Sequence, residues 1–266
     1  MAGAAIQGFI FPACRVRRVL HSERTAYAQA EVVDTYAYGK MLALDGQAQS
    51  AAADEAAYHE TLVAPAFVLS AQPLRSVAIL GGGEGATLRE VLRFPEVERC
   101  VMVDIDAELV DLCRRSMPEW SAGAFEDPRA ALHFGDARAF LEHALRAGDR
   151  YDLILCDLPE AEVGGPLQRL YSRAFFDLAR RCLTLTGLCA GQIGSLQTPP
   201  SVLGPSRILA TAALGGSAQV YARFIPSYWG EWLFTILGPG LTGDPATLSP
   251  AHIDEQLARR RSPSWP

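Results

Sequence analysis

The chain lacks an excess of positive charge, a paired-cysteine motif, a histidine cluster and any long apolar run. With 24 Lys and Arg against 30 Asp and Glu, its formal charge is −6. That balance argues against a nucleic-acid partner, which needs a basic face. No segment approaches the ~18 consecutive apolar residues of a membrane-spanning helix, and no basic region precedes an apolar stretch at the N-terminus, so no secretory signal is read. A cytoplasmic protein with neither membrane nor nucleic acid as partner is expected. The six cysteines contain no C-x-x-C pair and fall mostly in apolar strand or helix patterns, which suits free, buried thiols in a reducing compartment. The five histidines show no metal-ligand spacing, so no metal is expected. Internal repeats are absent too, and 266 residues are read as a large domain with a small one beside it.

What is present divides near residue 53. Short apolar runs at Arg18–His21, Thr25–Val33 and Lys40–Leu44, separated by turn residues such as Asp45-Gly46, predict a small antiparallel β domain over residues 1–53. Helical periodicity begins at Asp54 and stops before Gln72-Pro73. From Val77 onward, strand patterns alternate with helical ones, and Tyr221–Gly238 returns to strand character as an antiparallel edge. This alternation predicts an α/β fold over 54–266, a doubly wound, mostly parallel sheet of the Rossmann type.

The strongest local signal is Gly81-Gly82-Gly83-Glu84-Gly85, between the apolar run Ser76–Leu80 and the helical pattern Leu88, Val91, Leu92. Strand, glycine turn and helix start form a nucleotide cradle. Glu84 is unusual there, because a carboxylate repels a pyrophosphate and attracts a cation. The loop Gly81, Gly83, Glu84, Gly85 therefore suits an adenine nucleoside carrying positive charge, as in S-adenosylmethionine and its relatives. Asp104 closes the next strand 21 residues after Gly83, the spacing at which an acid meets ribose hydroxyls. Asp136-Ala137 closes the third strand, where a carboxylate can accept the adenine amino group, and Asp157 closes the fourth. Asp106, ahead of Ala-Glu-Leu, reads as a helix cap instead.

With these residues placed, the chain resembles the spermidine/spermine synthase family of polyamine aminopropyltransferases over about residues 18–260, most closely its thermospermine synthase branch. The resemblance rests on Gly39–Gln49, Asp54-Glu55, Tyr58-His59-Glu60, the loop G-G-G-E-G-A-T-L-R-E, Val103-Asp104-Ile-Asp106 and Asp157–Pro166 with Leu170-Tyr171-Ser172. It implies a β domain packed on a methyltransferase-like Rossmann domain, assembled as a homodimer or homotetramer. It also implies decarboxylated S-adenosylmethionine as co-substrate, with no metal, and a small-molecule amine as acceptor. Gln49 and His59 would contact the co-substrate, and Tyr228 would line the amine pocket. The chain departs from the family where Glu160-Ala161 replaces the usual Asp-Pro, and where Ala53 replaces an arginine.

The expected chemistry is displacement at the propyl carbon on sulfur by a neutral amine. Asp157 is the expected base and Tyr58 its hydrogen-bond partner. Glu160 and Glu162 would anchor distal ammonium groups, while Trp232 (and Trp229) would line an alkyl channel by cation–π contact. The alternatives are a small-molecule methyltransferase using ordinary S-adenosylmethionine on the same scaffold, and a non-catalytic polyamine or nucleoside binder.

Overall fold

The computed structural model describes residues 14–159, 166–196, 217–242 and 250–260. Strands β1 (Val16–Arg24), β2 (Gln29–Thr35), β3 (Gly39–Leu44) and β4 (Gln47–Ala51) form an antiparallel sheet in chain order. The β3–β4 turn works because Asp45 and Gly46 both take positive φ (47° and 79°), the twist that a two-residue hairpin requires. Alternation then sorts the side chains. Ala30, Val32 and Leu42 pack against Leu109, Leu112 and Trp120 of the large domain, while Val33, Met41 and Ala51 form a separate small cluster. β4 escapes the sequence reading because Gln-Ala-Gln-Ser-Ala is small and polar, without β-branched residues.

Helix α1 (Glu55–Leu69) follows, with Pro65 inside it. Pro65 has no N–H to give the Thr61 carbonyl. The Tyr221 hydroxyl donates to that oxygen instead, at 3.1 Å. The proline thus ties α1 to a strand of the large sheet rather than breaking the helix.

The large sheet contains β5 (Ser76–Gly81), β6 (Arg99–Asp104), β7 (Ala130–Phe134), β8 (Tyr151–Asp157), β9 (Leu183–Ser195), β10 (Ser217–Ile225) and β11 (Gly230–Gly238). Their order is β10-β11-β9-β8-β5-β6-β7. β9, β8, β5, β6 and β7 run parallel, and β10–β11 adds an antiparallel hairpin at one edge. Helices α2 (Ala86–Leu92), α3 (Ala107–Ser116), α4 (Pro118–Ser121), α5 (Ala137–Ala147) and α6 (Arg173–Cys182) cover it. One face buries Leu62, Phe67, Ile79 and Val91 with α1 and α2, and the other buries Leu80, Leu141, Phe175 and Ala179 with α5 and α6. The expected doubly wound sheet with a small N-terminal sheet is therefore the observed architecture. β9 differs in beginning at Leu183, ahead of the apolar run 188–193, because Leu183 already pairs with Tyr151 before a register irregularity that ends at Leu188 opposite Leu153. None of the six cysteines is in a disulfide. Among the described residues, no helix is long and apolar enough to cross a membrane.

β5 sits between β6 and β8, so the chain reverses its winding direction between β5 and β8. Such a switch point opens a crevice at the carboxyl ends of the strands. Gly81 fits there by necessity, with φ +87° and with the position of a Cβ only 2.1 Å from the Asp157 carbonyl oxygen. Gly81→Ala should therefore destabilise the protein by ~3 kcal/mol or more, from left-handed strain and the backbone clash together. Urea denaturation measures this, and a loss within ~1 kcal/mol would contradict the close approach.

Candidate active site

The glycine loop begins with the Gly82 N–H donating to the Asp157 carbonyl at 3.1 Å, and closes with the Gly85 N–H on the Gly82 carbonyl at 2.8 Å. Gly85, at φ +84°, forms the N-cap of α2 and lies against Phe125, so a side chain there has no room. Gly83 is bare because the Asp104 Oδ2 stands 2.9 Å from where its Cβ would be. The loop thus brings backbone N–H groups, Glu84 and Asp104 around one concavity.

Asp104 is buried, and its Oδ1 accepts the Asp106 N–H at 2.9 Å. Burial pushes its carboxyl up to about 7; the Asp106 N–H opposes this, and the charges of Glu84, Asp106 and Asp157 add to it. Asp106 caps α3 through Leu109 N at 3.0 Å, as its sequence context predicts, and also accepts the Thr25 hydroxyl at 2.6 Å across the two sheets. Asp136 caps α5 through Ala139 N at 2.9 Å, with Ala137 as the first residue of that helix. Its other oxygen takes Arg169 at 2.8 Å. Asp136 thus caps α5 as well as standing just past the end of β7.

Asp157 and Tyr58 meet as expected. The Tyr58 hydroxyl donates to Asp157 Oδ1 at 3.3 Å, and the Thr87 hydroxyl donates to Oδ2 at 2.5 Å. Burial and the nearby Glu84 charge raise the Asp157 carboxyl above the usual range, against the opposing effects of His59, Thr87 and Tyr58. Burial, then the Asp157 charge, keeps the Tyr58 phenol well above its ordinary value, so it stays a donor.

His59 is buried, at 1% exposure. Its Nδ1 faces the Glu55 carbonyl at 2.6 Å and Glu55 Oε2 at 3.2 Å, and its Nε2 faces Glu84 Oε1 at 3.2 Å. Burial alone would lower its pKa, but the hydrogen bonds to Glu55 and Glu84 outweigh it and raise the ring to about 10. Glu55 in turn is held by Arg89 in a two-point pair at 3.1 and 2.9 Å. Burial pushes the Glu55 carboxyl up, yet His59 and Arg89 together bring it below the usual range. His59, Glu84 and Asp157 place one polar atom each within 4.8 Å of one another, a grouping invisible to sequence spacing.

Distant segments meet beside Tyr58. The Ser227 N–H and hydroxyl donate to Asp54 at 2.6 and 2.9 Å, which fixes the turn bearing Tyr228 at the start of α1. The Tyr228 hydroxyl donates to the Gln49 carbonyl, and the Tyr228 ring lies 5.9 Å from Tyr58 and 4.7 Å from Trp232. The Gln49 side chain donates to the Gln47 carbonyl at 3.3 Å. The Trp232 Nε1–H donates to Gln192 Oε1 at 3.2 Å, so its ring is held beside the tyrosines. Trp229 is 46% exposed, with φ 58°. Glu160 and Glu162 lie outside the described residues. Sequence reading missed Thr87, Arg89, Gln192 and the structural use of Asp54; only the i, i+4 spacing of Glu55 and His59 offered a signal.

A model of the spermine/spermidine synthase domain matches residues 55–241, and one of the spermidine synthase tetramerisation domain matches residues 11–51. The chain belongs to the spermine/spermidine synthase family. Polyamine aminopropyltransferase 2 of Pseudomonas aeruginosa is 41% identical to this family member over 253 residues, covering 94% of this chain and 70% of the relative. The polyamine aminopropyltransferase of Pyrobaculum calidifontis is 40% identical over 242 residues, 91% and 82% of the two chains. A crystal structure of spermidine synthase with the transition-state analogue AdoDATO shares the fold, with TM-score 0.81, 23% identity and coverage of 95% and 82%. The spermidine synthase of Thermotoga maritima aligns with TM-score 0.78 at 23% identity.

The Asp104 environment has a direct consequence. A carboxyl raised from 3.8 to about 7 binds its proton more tightly in the folded state, so stability falls as pH rises from about 4 to 7 and the full penalty stands above 7. Asp104→Asn should stabilise the protein at pH 8 by on the order of 2 kcal/mol more than at pH 5. Equal effects at both pH values in urea denaturation would contradict the assignment.

Proposed function

We propose that this family member is a polyamine aminopropyltransferase that moves the aminopropyl group of decarboxylated S-adenosylmethionine to a di- or polyamine. The observation that carries this reading is Glu84 inside the glycine loop, within hydrogen-bond reach of His59 and close to Asp157. A sulfonium with a terminal ammonium suits that field, because two opposite charges ~4 Å apart gain about 4 kcal/mol at an effective dielectric near 20. Ordinary S-adenosylmethionine would bring a further carboxylate among Glu84, Asp104 and Asp157. In this reading Asp104 takes the ribose hydroxyls, Asp136 and Ala137 the adenine edge, and Gln49, His59 and the loop Gly81, Gly83, Gly85 the remainder of the nucleoside and its chain.

The acceptor nitrogen attacks the propyl carbon bonded to sulfur. The carbon–sulfur bond breaks, its electron pair stays on sulfur, and neutral methylthioadenosine leaves without an acid. An acceptor amine is mostly protonated at neutral pH, and freeing its lone pair costs roughly 4 kcal/mol. Asp157 supplies the base. Burial and Glu84 raise its affinity for a proton, and Tyr58 and Thr87 fix its two oxygens, so it can receive the amine proton and orient the nitrogen. Tyr228 and Trp232 form the wall along which the alkyl chain would lie, with Glu160 and Glu162 as distal ammonium anchors. The likeness to the thermospermine synthase branch rests on Glu84 and the Gly164-Gly165-Pro166 run. The tetramerisation-domain match over 11–51 supports assembly as a homo-oligomer, a tetramer in this proposal.

Calorimetric titration with the decarboxylated and the ordinary nucleoside tests the co-substrate: tighter binding of the decarboxylated form is expected, and preference for the ordinary form would redirect the reading to methyl transfer. Asp157→Asn should reduce turnover by about 10³-fold, with co-substrate affinity within a few-fold. Near-normal methylthioadenosine release from that variant would remove Asp157 from its role.

A further inference from the structure

The buried ring of His59 is hydrogen-bonded by Glu55 and Glu84 and lies near groups from three elements. On its own helix are Glu55 and Tyr58; from the glycine loop comes Glu84; from the end of β8 comes Asp157. Arg89 of α2 acts through Glu55, which it grips at two points. A carbonyl oxygen only accepts, so the 2.6 Å contact between Nδ1 and the Glu55 carbonyl fixes a proton on Nδ1. The titrating atom is therefore Nε2, and its partner is Glu84 Oε1 at 3.2 Å. Glu84 cannot serve an incoming ammonium and the His59 Nε2–H equally well, because each positive charge weakens the hold of the other.

We propose that His59 is a proton-linked placeholder for the co-substrate chain: its Nε2–H occupies Glu84 until a cationic aminopropyl group takes that carboxylate, and the Nε2 proton then leaves for solvent. The inference rests on the co-substrate reading above and deepens it. After the exchange the ring is the neutral Nδ1–H tautomer, and the Nε2 lone pair accepts from the same ammonium that Glu84 holds. The net charge of the pocket then rises by one, rather than by the two charges that the sulfonium and the ammonium bring. A ring raised to about 10 means that the proton is present throughout the neutral range before the ligand arrives. Affinity for the cationic nucleoside should then rise with pH, by up to about tenfold per pH unit where one proton is released. Discrimination against the ordinary, carboxylate-bearing nucleoside should weaken as pH falls, since the imidazolium favours its carboxylate.

Titration calorimetry at pH 8.5 in phosphate and in Tris, buffers of different ionisation enthalpy, reads the protons released. That pH lies above the Asp104 value of about 7, which keeps that carboxyl from contributing. Decarboxylated S-adenosylmethionine should release about one proton per site from the wild-type protein, methylthioadenosine, which carries no charge, close to none, and His59→Asn close to none with either. Histidine-labelled ¹⁵N spectra of the wild-type protein read the same event without a variant: one ring should change from imidazolium to the neutral Nδ1–H form on saturation. Binding without proton release, or equal release from His59→Asn, overturns this proposal and leaves the co-substrate reading standing. Failure of the decarboxylated nucleoside to bind at all overturns the co-substrate reading itself.

Discussion

Three carboxylates, Glu84, Asp104 and Asp157, converge where β5, β6 and β8 end, and the fold around them is arranged to tolerate that convergence. The close passage of Gly81 and Gly82 along the Asp157 backbone forces the glycine loop against the Asp157 carboxylate. Left alone, the carboxylates would repel one another in a poorly solvated crevice. His59 answers Glu84, the Tyr58 and Thr87 hydroxyls answer Asp157, and the Asp106 N–H answers Asp104. The chain continues outward from His59 to Glu55 and Arg89, and Arg89 also reaches Glu90 and the Trp120 carbonyl. Buried ions of this kind are tolerated when each remaining donor and acceptor has a partner. The residual negative potential is the feature that a cationic nucleoside and an amine would use.

The site is also a junction. Its floor belongs to the Rossmann sheet, but its wall is set by links that cross between segments far apart in the chain. Asp54, between the small sheet and α1, receives both the N–H and the hydroxyl of Ser227. Tyr228 then reaches back to the Gln49 carbonyl at the end of the small sheet. These bonds place Tyr228 beside Tyr58 and Trp232 with little freedom for any of the three rings. Thr25 and Lys40 add further bridges to Asp106 and to the Ser116 carbonyl. The small sheet therefore anchors the segment bearing Tyr228 as well as carrying the tetramerisation-domain match.

The parts of this architecture that follow from short-range chemistry were legible in the chain. Alternating apolar runs, the Asp45-Gly46 hairpin, the triple glycine before α2 and the acids closing β6, β7 and β8 each reflect a local steric or capping rule, so each could be read where it stands. The expected Tyr58–Asp157 contact came from family resemblance, since the two residues are 99 positions apart and no spacing rule joins them. Other features were hidden. Gln47–Ala51 is a strand because β3 offers it a ladder, not because its side chains prefer one. Within α1, the Thr61 carbonyl that Pro65 leaves open is satisfied by Tyr221 from a distant strand.

The sequence by itself determined the order of elements, the nucleoside cradle and the acidic character of the sheet edge, since these depend on backbone geometry over a few residues. Only the tertiary structure decided the charge on His59. That charge depends on Glu55 one turn away on the same helix, on Glu84 25 residues downstream and on Asp157 on a third element, all within a buried space. Ionisation of a buried group follows the sum of burial and every nearby charge, and that sum exists only when the chain has folded.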